Sequence, residues 1–117
     1  MAAASAIAEK SNRIENMFLN EDNELDARGA YAVNIYALGV PHTVIIDDYL
    51  PMYRYSDYYP PQTLFASVGY DSSLWGALLE KAFSKYHGNY KHTVGGNPLM
   101  AVRTLHGGPW EDLDHNE

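Results

Sequence analysis

The chain has 117 residues, of which 46% are hydrophobic and 20% charged, and this composition is typical of one small globular domain. Its formal net charge is −7, with only 8 scattered Lys and Arg residues, which argues against binding to nucleic acid or to an anionic membrane surface. Cysteine is absent, which excludes disulfides, thiolate metal sites and a cysteine nucleophile among these residues.

The N-terminal region, residues 1–20, predicts a helix from Ala2 to about Asn16, because alanine loses no side-chain entropy in a helix. Apolar side chains of this region form a predicted stripe that consists of Ala6, Ile7, Ile14, Met17 and Phe18. The polar residues 21–29 that follow are typical of an exposed turn.

Residues 31–47 predict an antiparallel β-hairpin. The alternating pattern of residues 31–36 is typical of a half-buried strand, and residues 42–47 are rich in the β-branched side chains that strands favour. Leu38-Gly39 predicts the tight turn between them. Pro41 has no amide donor, so we expect it at the start of the second strand or on a sheet edge.

Residues 52–62 contain four tyrosines beside Pro60 and Pro61, which oppose both a helix and a central strand, and we predict a loop. Tyrosine is enriched at protein interfaces, so the expected partner-binding residues are Tyr53, Tyr55, Tyr58 and Tyr59. The alternative is that two or three of these rings pack on the core of the domain. Residues 63–68 predict a short third strand or an extended lead into the next helix.

Residues 71–88 predict the main helix. Apolar residues recur along one face at three- and four-residue steps, namely Trp75, Leu78, Leu79, Ala82, Phe83 and Tyr86. Asp71 or Ser72 is the expected N-cap, because a short side-chain oxygen accepts from the free N–H groups of the first turn. Gly88 is expected to end the helix, since glycine enters the left-handed region at little cost.

The remaining residues predict a short helix and a tail. Residues 90–94 are expected to be extended, and residues 97–105 to form the second, shorter helix, which the Gly107-Gly108-Pro109 segment would end. The acidic tail, residues 111–117, is expected to fray. No repeat or linker divides the chain, so residues 1–117 are interpreted as a single partial domain.

Few polar residues have the spacing of a catalytic or metal site. Asp47 and Asp48 are adjacent, but consecutive strand residues point to opposite faces, so we expect one of them to pair with a base. No histidine spacing brings two rings to one metal on a helix face, although His87 and His92 flank the helix end and could meet in space. Nucleotide-binding glycine motifs and a nucleophilic serine elbow are absent. We therefore expect neither a metal nor a cofactor.

Several short motifs, taken in chain order, resemble the calpain-type cysteine proteases. The most informative is W-x-x-L-x-E-K-A-F-x-K, followed by G-x-Y and G-G, and its scaffold residues are Trp75, Leu78, Glu80, Lys81 and Ala82. The motifs R-I-x-N-x-F, G-x-Y-x-V-x-x-Y and D-D-x-L-P precede it in the order of the family. Each motif alone is weak, but together they are specific and cover nearly the whole chain.

The resemblance implies an α+β fold, a small antiparallel sheet packed with helices, that is equivalent to a truncated first subdomain of a papain-like core. Residues 2–9 resemble the later turns of the helix that carries the nucleophilic cysteine, which would then lie just before Met1. The oxyanion glutamine lies upstream in the family, and the catalytic histidine and asparagine belong to its second half. The resemblance therefore implies that this chain alone is not an enzyme.

Two positions match binding residues of the family. Gly96 matches the glycine whose backbone holds a substrate peptide, so Gly95 and Gly96 are predicted to be the remnant of a peptide groove. Ser73 lies two residues before the helix tryptophan, where calcium-regulated members have an acidic ligand. Calcium prefers several charged oxygen ligands, so the neutral hydroxyl argues against calcium binding here.

The resemblance leads to three hypotheses. The first is a non-catalytic calpain-like module that serves as a structural or adaptor subunit of a larger protein assembly. The second is a component of a calcium-dependent cysteine endopeptidase whose catalytic residues lie outside this chain, and the third is a peptide-binding regulator. The expected partners are proteins. No apolar run approaches the roughly 20 residues of a membrane helix, so membrane insertion is not expected. The cytoplasm is the default compartment, with a cytoskeletal or ciliary setting as a further hypothesis.

Overall fold

A computed structural model describes residues 2–20 and 24–108 of the chain. In chain order its elements are α1 (Ala2–Ile7), α2 (Ser11–Glu15), β1 (Ala30–Ala37), β2 (Val40–Asp47), β3 (Met52–Tyr53), β4 (Gln62–Thr63), α3 (Trp75–Tyr86), a 3₁₀ helix (Tyr90–Thr93) and α4 (Pro98–His106). The predicted α+β class is confirmed. The predicted acidic tail, residues 111–117, and Pro109 lie outside the described residues.

The β1–β2 hairpin forms as predicted, and it is the centre of the fold. The strands pair antiparallel from Ala30↔Asp47 to Ala37↔Val40. Leu38 and Gly39 connect them with φ angles of 50° and 80°, the pair of positive values that a two-residue hairpin turn with the right twist requires. Pro41 lies near the start of β2, where a two-stranded sheet has an open edge.

One face of this hairpin carries the hydrophobic core. The buried side chains of this face are Tyr31, Val33, Ile35, Val44 and Ile46. Helix α3 packs on them through Leu78, Leu79 and Ala82, which are buried as the predicted stripe requires. Tyr86, the last member of that stripe, is an exception because its side chain is exposed.

The predicted single N-terminal helix is wrong, because the chain breaks between α1 and α2. Lys10 has an extended backbone conformation (φ −119°, ψ 114°) immediately before α2. The break lets Ile7 from α1 and Ile14 from α2 both enter the core. After α2 the chain runs along β1, where Leu19 N–H donates to Ala32 at 2.9 Å. Packing against the hairpin thus overrides the local helix propensity.

The ends of α3 agree with prediction only on the C-terminal side. Gly88, with φ 102°, follows the last helical turn, and its N–H donates to the Lys85 carbonyl at 3.1 Å. The predicted cap by Asp71 or Ser72 is wrong, since Leu74 occupies the N-cap position and no side chain caps the helix. The Asp71 carboxylate instead accepts from the Ser73 N–H at 3.0 Å and stabilises the preceding turn.

Three shorter segments also differ from prediction. Residues 52–62 are not wholly a loop, because Met52 pairs with Thr63 in a second two-stranded sheet formed by β3 and β4. Residues 63–68 were predicted to form a short third strand or an extended lead into the next helix, and of these residues only Thr63 belongs to a strand, β4. Residues 90–94 contain the 3₁₀ helix rather than an extended segment, because the Asn89 side chain accepts from the His92 N–H.

Helix α4 agrees with its prediction. The Asn97 side chain caps its first turn, and Gly107 ends it with φ 75°. Leu105 of α4 is buried in the core, and α4 packs beside α1. Within residues 2–20 and 24–108, no helix combines the length and apolar character needed to cross a bilayer.

Candidate functional site

A cavity of about 550 Å³ lies between α1, α3 and the segment that leads into α4. It is lined by Ala2, Ala3, Ala4, Leu79, Glu80, Phe83, His87, His92, Thr93, Gly95, Gly96, Asn97, Pro98, Met100, Ala101, Thr104 and Leu105. We call this cavity the glycine groove. It places the predicted glycine pair beside the first residues of α1.

Gly95 and Gly96 have an unusual backbone conformation. Their φ angles are 79° and 133°, values that side-chain-bearing residues rarely adopt. A Cβ atom built on either residue would meet no other atom within 4 Å, so the space beside this backbone is open. The two peptide groups are therefore accessible to a ligand that lies along the groove.

The floor of the glycine groove is apolar. Met100 is exposed and Phe83 is half-buried, so both offer apolar surface to the cavity, while Leu79 and Leu105 lie almost completely buried beneath them. An extended peptide has one N–H and one C=O per residue, and it can pair with exposed backbone while its side chains enter an apolar cavity. The groove combines both requirements, an accessible glycine backbone and an apolar floor.

The scaffold residues Glu80 and Lys81 hold loops in place. The Glu80 carboxylate accepts from the Ala66 N–H at 2.6 Å. The Lys81 ammonium donates to the Asp47 carboxylate and to the Tyr49 carbonyl. These contacts fasten the segments on either side of the β3–β4 sheet to α3, so the family-like E-K pair has a structural role.

The two adjacent acids are separated, as predicted. Asp47 pairs with Lys81, and the hydrogen bond from this ammonium, followed by that from the Tyr49 N–H, holds the pKa of Asp47 below its usual range. Asp48 lies instead beside Gly29, where an added Cβ would come within 2.9 Å of the Asp48 carboxylate. The two carboxylates therefore do not converge on one site.

His87 and His92 are in contact, but the contact joins the His92 ring to the His87 backbone and does not join the two rings. The His92 Nδ1 lies 2.8 Å from the His87 carbonyl oxygen. The His87 ring packs on Phe83, with the ring centroids 4.4 Å apart. Among the residues the structure describes, no three His, Asp or Glu side chains come together as a metal site would require.

Ser73 belongs to a tight turn before α3. Its carbonyl accepts from the Gly69 N–H at 3.0 Å. A Cβ atom on Gly69 would lie 2.6 Å from both the Asp71 carboxylate and the Ser73 hydroxyl, so this close approach requires glycine. Sequence reasoning missed the role of Gly69, because the contact depends on the folded turn.

The tyrosine hairpin, residues 52–63, projects its aromatic rings into solvent. The alternative that two or three of them pack on the core is wrong, since all four predicted residues, Tyr53, Tyr55, Tyr58 and Tyr59, are exposed, by 44% to 95%. Their organisation is local: the Tyr53 hydroxyl donates to Gln62 at 2.9 Å, and the rings of Tyr55 and Tyr59 meet edge to face at 6.3 Å. Their proposed contact with a partner stays a prediction.

Comparison with known proteins gives one consistent result. The profile of the calpain family cysteine proteases matches residues 1–117. The chain is 30% identical over 112 residues to the calpain-type cysteine protease DEK1 of Zea mays. This alignment covers 96% of this chain and 5% of that protein. It is 32% identical over 116 residues to Calpain-A of Drosophila melanogaster, in an alignment that covers 97% of this chain and 13% of the relative. It is 35% identical over 97 residues to Calpain-5 of Caenorhabditis elegans, with 80% of this chain and 14% of the relative covered. The chain thus spans only a small part of each of these relatives.

Proposed function

The chain belongs to the calpain family of cysteine proteases, and from this we propose that it is a non-catalytic calpain-type module that binds an extended peptide segment in the glycine groove and serves as an adaptor in a larger protein assembly. The observation that carries the proposal is the open backbone of Gly95 and Gly96 on the edge of an apolar cavity. The 117 residues contain no cysteine, so they supply no thiolate that would cut the bound peptide.

The binding mode follows from the groove. Main-chain hydrogen bonds from a peptide to the glycine segment would supply affinity without regard to sequence. Apolar side chains of the same peptide would pack on Phe83 and Met100 and add selectivity for apolar residues. The expected ligand is thus an extended, partly apolar segment of an unstructured protein.

The first prediction compares two matched glycine substitutions. Gly95 and Gly39 have φ angles of 79° and 80°, and an added Cβ would meet no other atom within 4 Å at either position. Both Gly95→Ala and Gly39→Ala place alanine in the left-handed region, at a cost of about 1 kcal/mol. We expect similar losses of thermal stability from the two variants, but only Gly95→Ala should obstruct the groove and weaken peptide binding, by roughly tenfold.

The measurement is fluorescence anisotropy of a labelled, unstructured peptide with alternating apolar residues, titrated with each variant. Gly96→Ala, at the second groove glycine, should also weaken peptide binding, but with a larger loss of stability, because its φ of 133° is farther from the left-handed conformation that alanine can adopt. The proposal fails if wild-type protein shows no saturable binding, or if Gly39→Ala and Gly95→Ala weaken binding equally.

A second candidate function is a component of a cysteine endopeptidase. It is supported by the position of the glycine groove beside the first residues of α1, the helix that resembles the end of the family's cysteine-bearing helix. In that case the chain would supply one wall of a substrate cleft, and the catalytic residues would come from outside it.

The intact mass of the native protein, measured on the size fraction in which it elutes, separates the two candidates. We expect a native product without cysteine, held in a larger complex, if the adaptor proposal holds. A longer, cysteine-containing product that reacts with a thiol-directed probe and cleaves a peptide would instead support the endopeptidase.

A further inference from the structure

A second cavity, of about 690 Å³, lies between α2, the first turn of α3 and the segments around residues 24 and 72. Its lining includes Glu15, Phe18, Glu24, Leu25, Asp71 and Trp75. We call it the tryptophan pocket. Among the residues that the structure describes, none lines both this pocket and the glycine groove.

The walls of the tryptophan pocket are aromatic and aliphatic. Trp75 and Phe18 are only partly buried against the core, so part of each ring is available to a ligand. Leu25, at the rim, is 72% exposed although it is apolar. A partly open cavity with these walls favours an apolar side chain that would cover the exposed aromatic surface.

Among the described residues, the charged side chains that line the pocket all have the same sign. They are Glu15, Glu24 and Asp71. A hydrogen bond from the Ser73 hydroxyl, followed by that from the Ser73 N–H, holds the pKa of Asp71 below its usual range, so this carboxylate is ionised at neutral pH. The formal charge of −7 on the chain adds to the negative potential of the rim.

We propose that the tryptophan pocket docks a basic peptide segment, in which an apolar side chain enters the cavity and flanking Lys or Arg residues face the acidic rim. Charge complementarity selects this occupant over a second copy of this chain, which would bring another net charge of −7 to the same surface. A flanking cation also gains from the face of an aromatic ring such as Trp75. The site is separate from the glycine groove and does not depend on the function proposed for it.

The test uses Trp75 as its own reporter. The chain contains 2 tryptophans, so Trp110→Phe leaves Trp75 as the only one. This variant is titrated with two blocked peptides that share a Leu-Leu centre, one flanked by Lys and Arg and one flanked by Asp and Glu. We expect a saturable change in Trp75 emission with the basic peptide alone, and at least fivefold weaker binding when NaCl is raised from 50 to 300 mM.

Charge and apolar contact are then tested separately in the same background. Glu15→Lys reverses a charge of the pocket and should weaken binding of the basic peptide about five- to tenfold. Asp57→Lys makes the same change on the tyrosine hairpin, at a side chain that is 98% exposed and does not line the pocket, and should change the affinity less than twofold. Leu25→Ser should weaken binding without affecting folding, because Leu25 is already largely exposed.

Circular dichroism melts check that each variant is folded. The proposal is overturned if the acidic and basic peptides bind equally, if Glu15→Lys and Asp57→Lys weaken binding to the same extent, or if the basic peptide leaves Trp75 emission unchanged.

Discussion

Single side chains of α3 connect parts of the chain that are far apart in sequence. Lys81 reaches Asp47 and Tyr49, more than thirty residues earlier, and Lys85 donates to the Ile45 carbonyl at 2.6 Å. Glu80 reaches Ala66 on the opposite side of the tyrosine hairpin. The sequence motif could be recognised without the structure, but the partners of its residues could not, because such contacts depend on how distant segments fold together.

Lys81 provides a stability prediction at this scale. Its side chain is 18% exposed and satisfies both the Asp47 carboxylate and the Tyr49 carbonyl. Lys81→Met keeps the apolar stem and removes the donor, so the Tyr49 carbonyl loses the ammonium and the Asp47 carboxylate keeps only the hydrogen bond from the Tyr49 N–H. We expect the melting temperature to fall by about 3 to 8 °C. Lys91→Met, at an exposed residue of the 3₁₀ helix, is the control and should leave it nearly unchanged. Equal melting temperatures for the two variants would contradict this role of Lys81.

Asp26 provides a pH prediction. Hydrogen bonds from the Arg28 side chain, then from the Arg28 backbone, hold the pKa of Asp26 well below its usual range. The ionised form is therefore favoured in the folded state, and its stabilising contribution is complete above the unfolded pKa of about 4 and is lost as the pH falls below that value. We expect Asp26→Asn to be less stable than wild type at pH 7, and the difference to shrink by pH 2.5.

Urea unfolding at pH 7, 4 and 2.5 measures this difference. Asp57→Asn is the matched control, because that carboxylate is 98% exposed and lies 3.7 Å from Arg54. A gap between wild type and Asp26→Asn that stays constant over this range would show that the Asp26–Arg28 interaction does not contribute as proposed.

At the scale of elements, the segments with strong local signals were predictable. The Leu38-Gly39 turn and the alternating strands identify the β1–β2 hairpin, and the helical spacing after Trp75 identifies α3. The break between α1 and α2 was not predictable, because it depends on long-range packing. The pairing of β3 with β4 was not predictable either, because it consists of only two residue pairs. The tyrosine hairpin combines both cases: its composition was evident, but the exposure of its rings was not.

At the scale of the whole molecule, α3 separates two cavities of different character. The glycine groove could be located in part from the sequence, because Gly95 and Gly96 stand in a recognisable motif. The tryptophan pocket could not, since its walls come from four separate parts of the chain, including α2 and the turn around Ser73. Under the two proposals, the two ligands would contact different sides of the same helix.

The lysines of α3 also affect how the sheet meets other molecules. One side of β1 is covered by residues 17–19, where the Asn34 N–H donates to the Met17 carbonyl at 2.9 Å. On β2, the Lys85 ammonium donates to the Ile45 carbonyl. Just beyond the end of β2, the Lys81 ammonium donates to the Tyr49 carbonyl. Charged side chains along an exposed strand hinder its pairing with a strand of another chain. The contacts that hold α3 on the hairpin therefore also protect this small sheet against aggregation by edge-to-edge pairing.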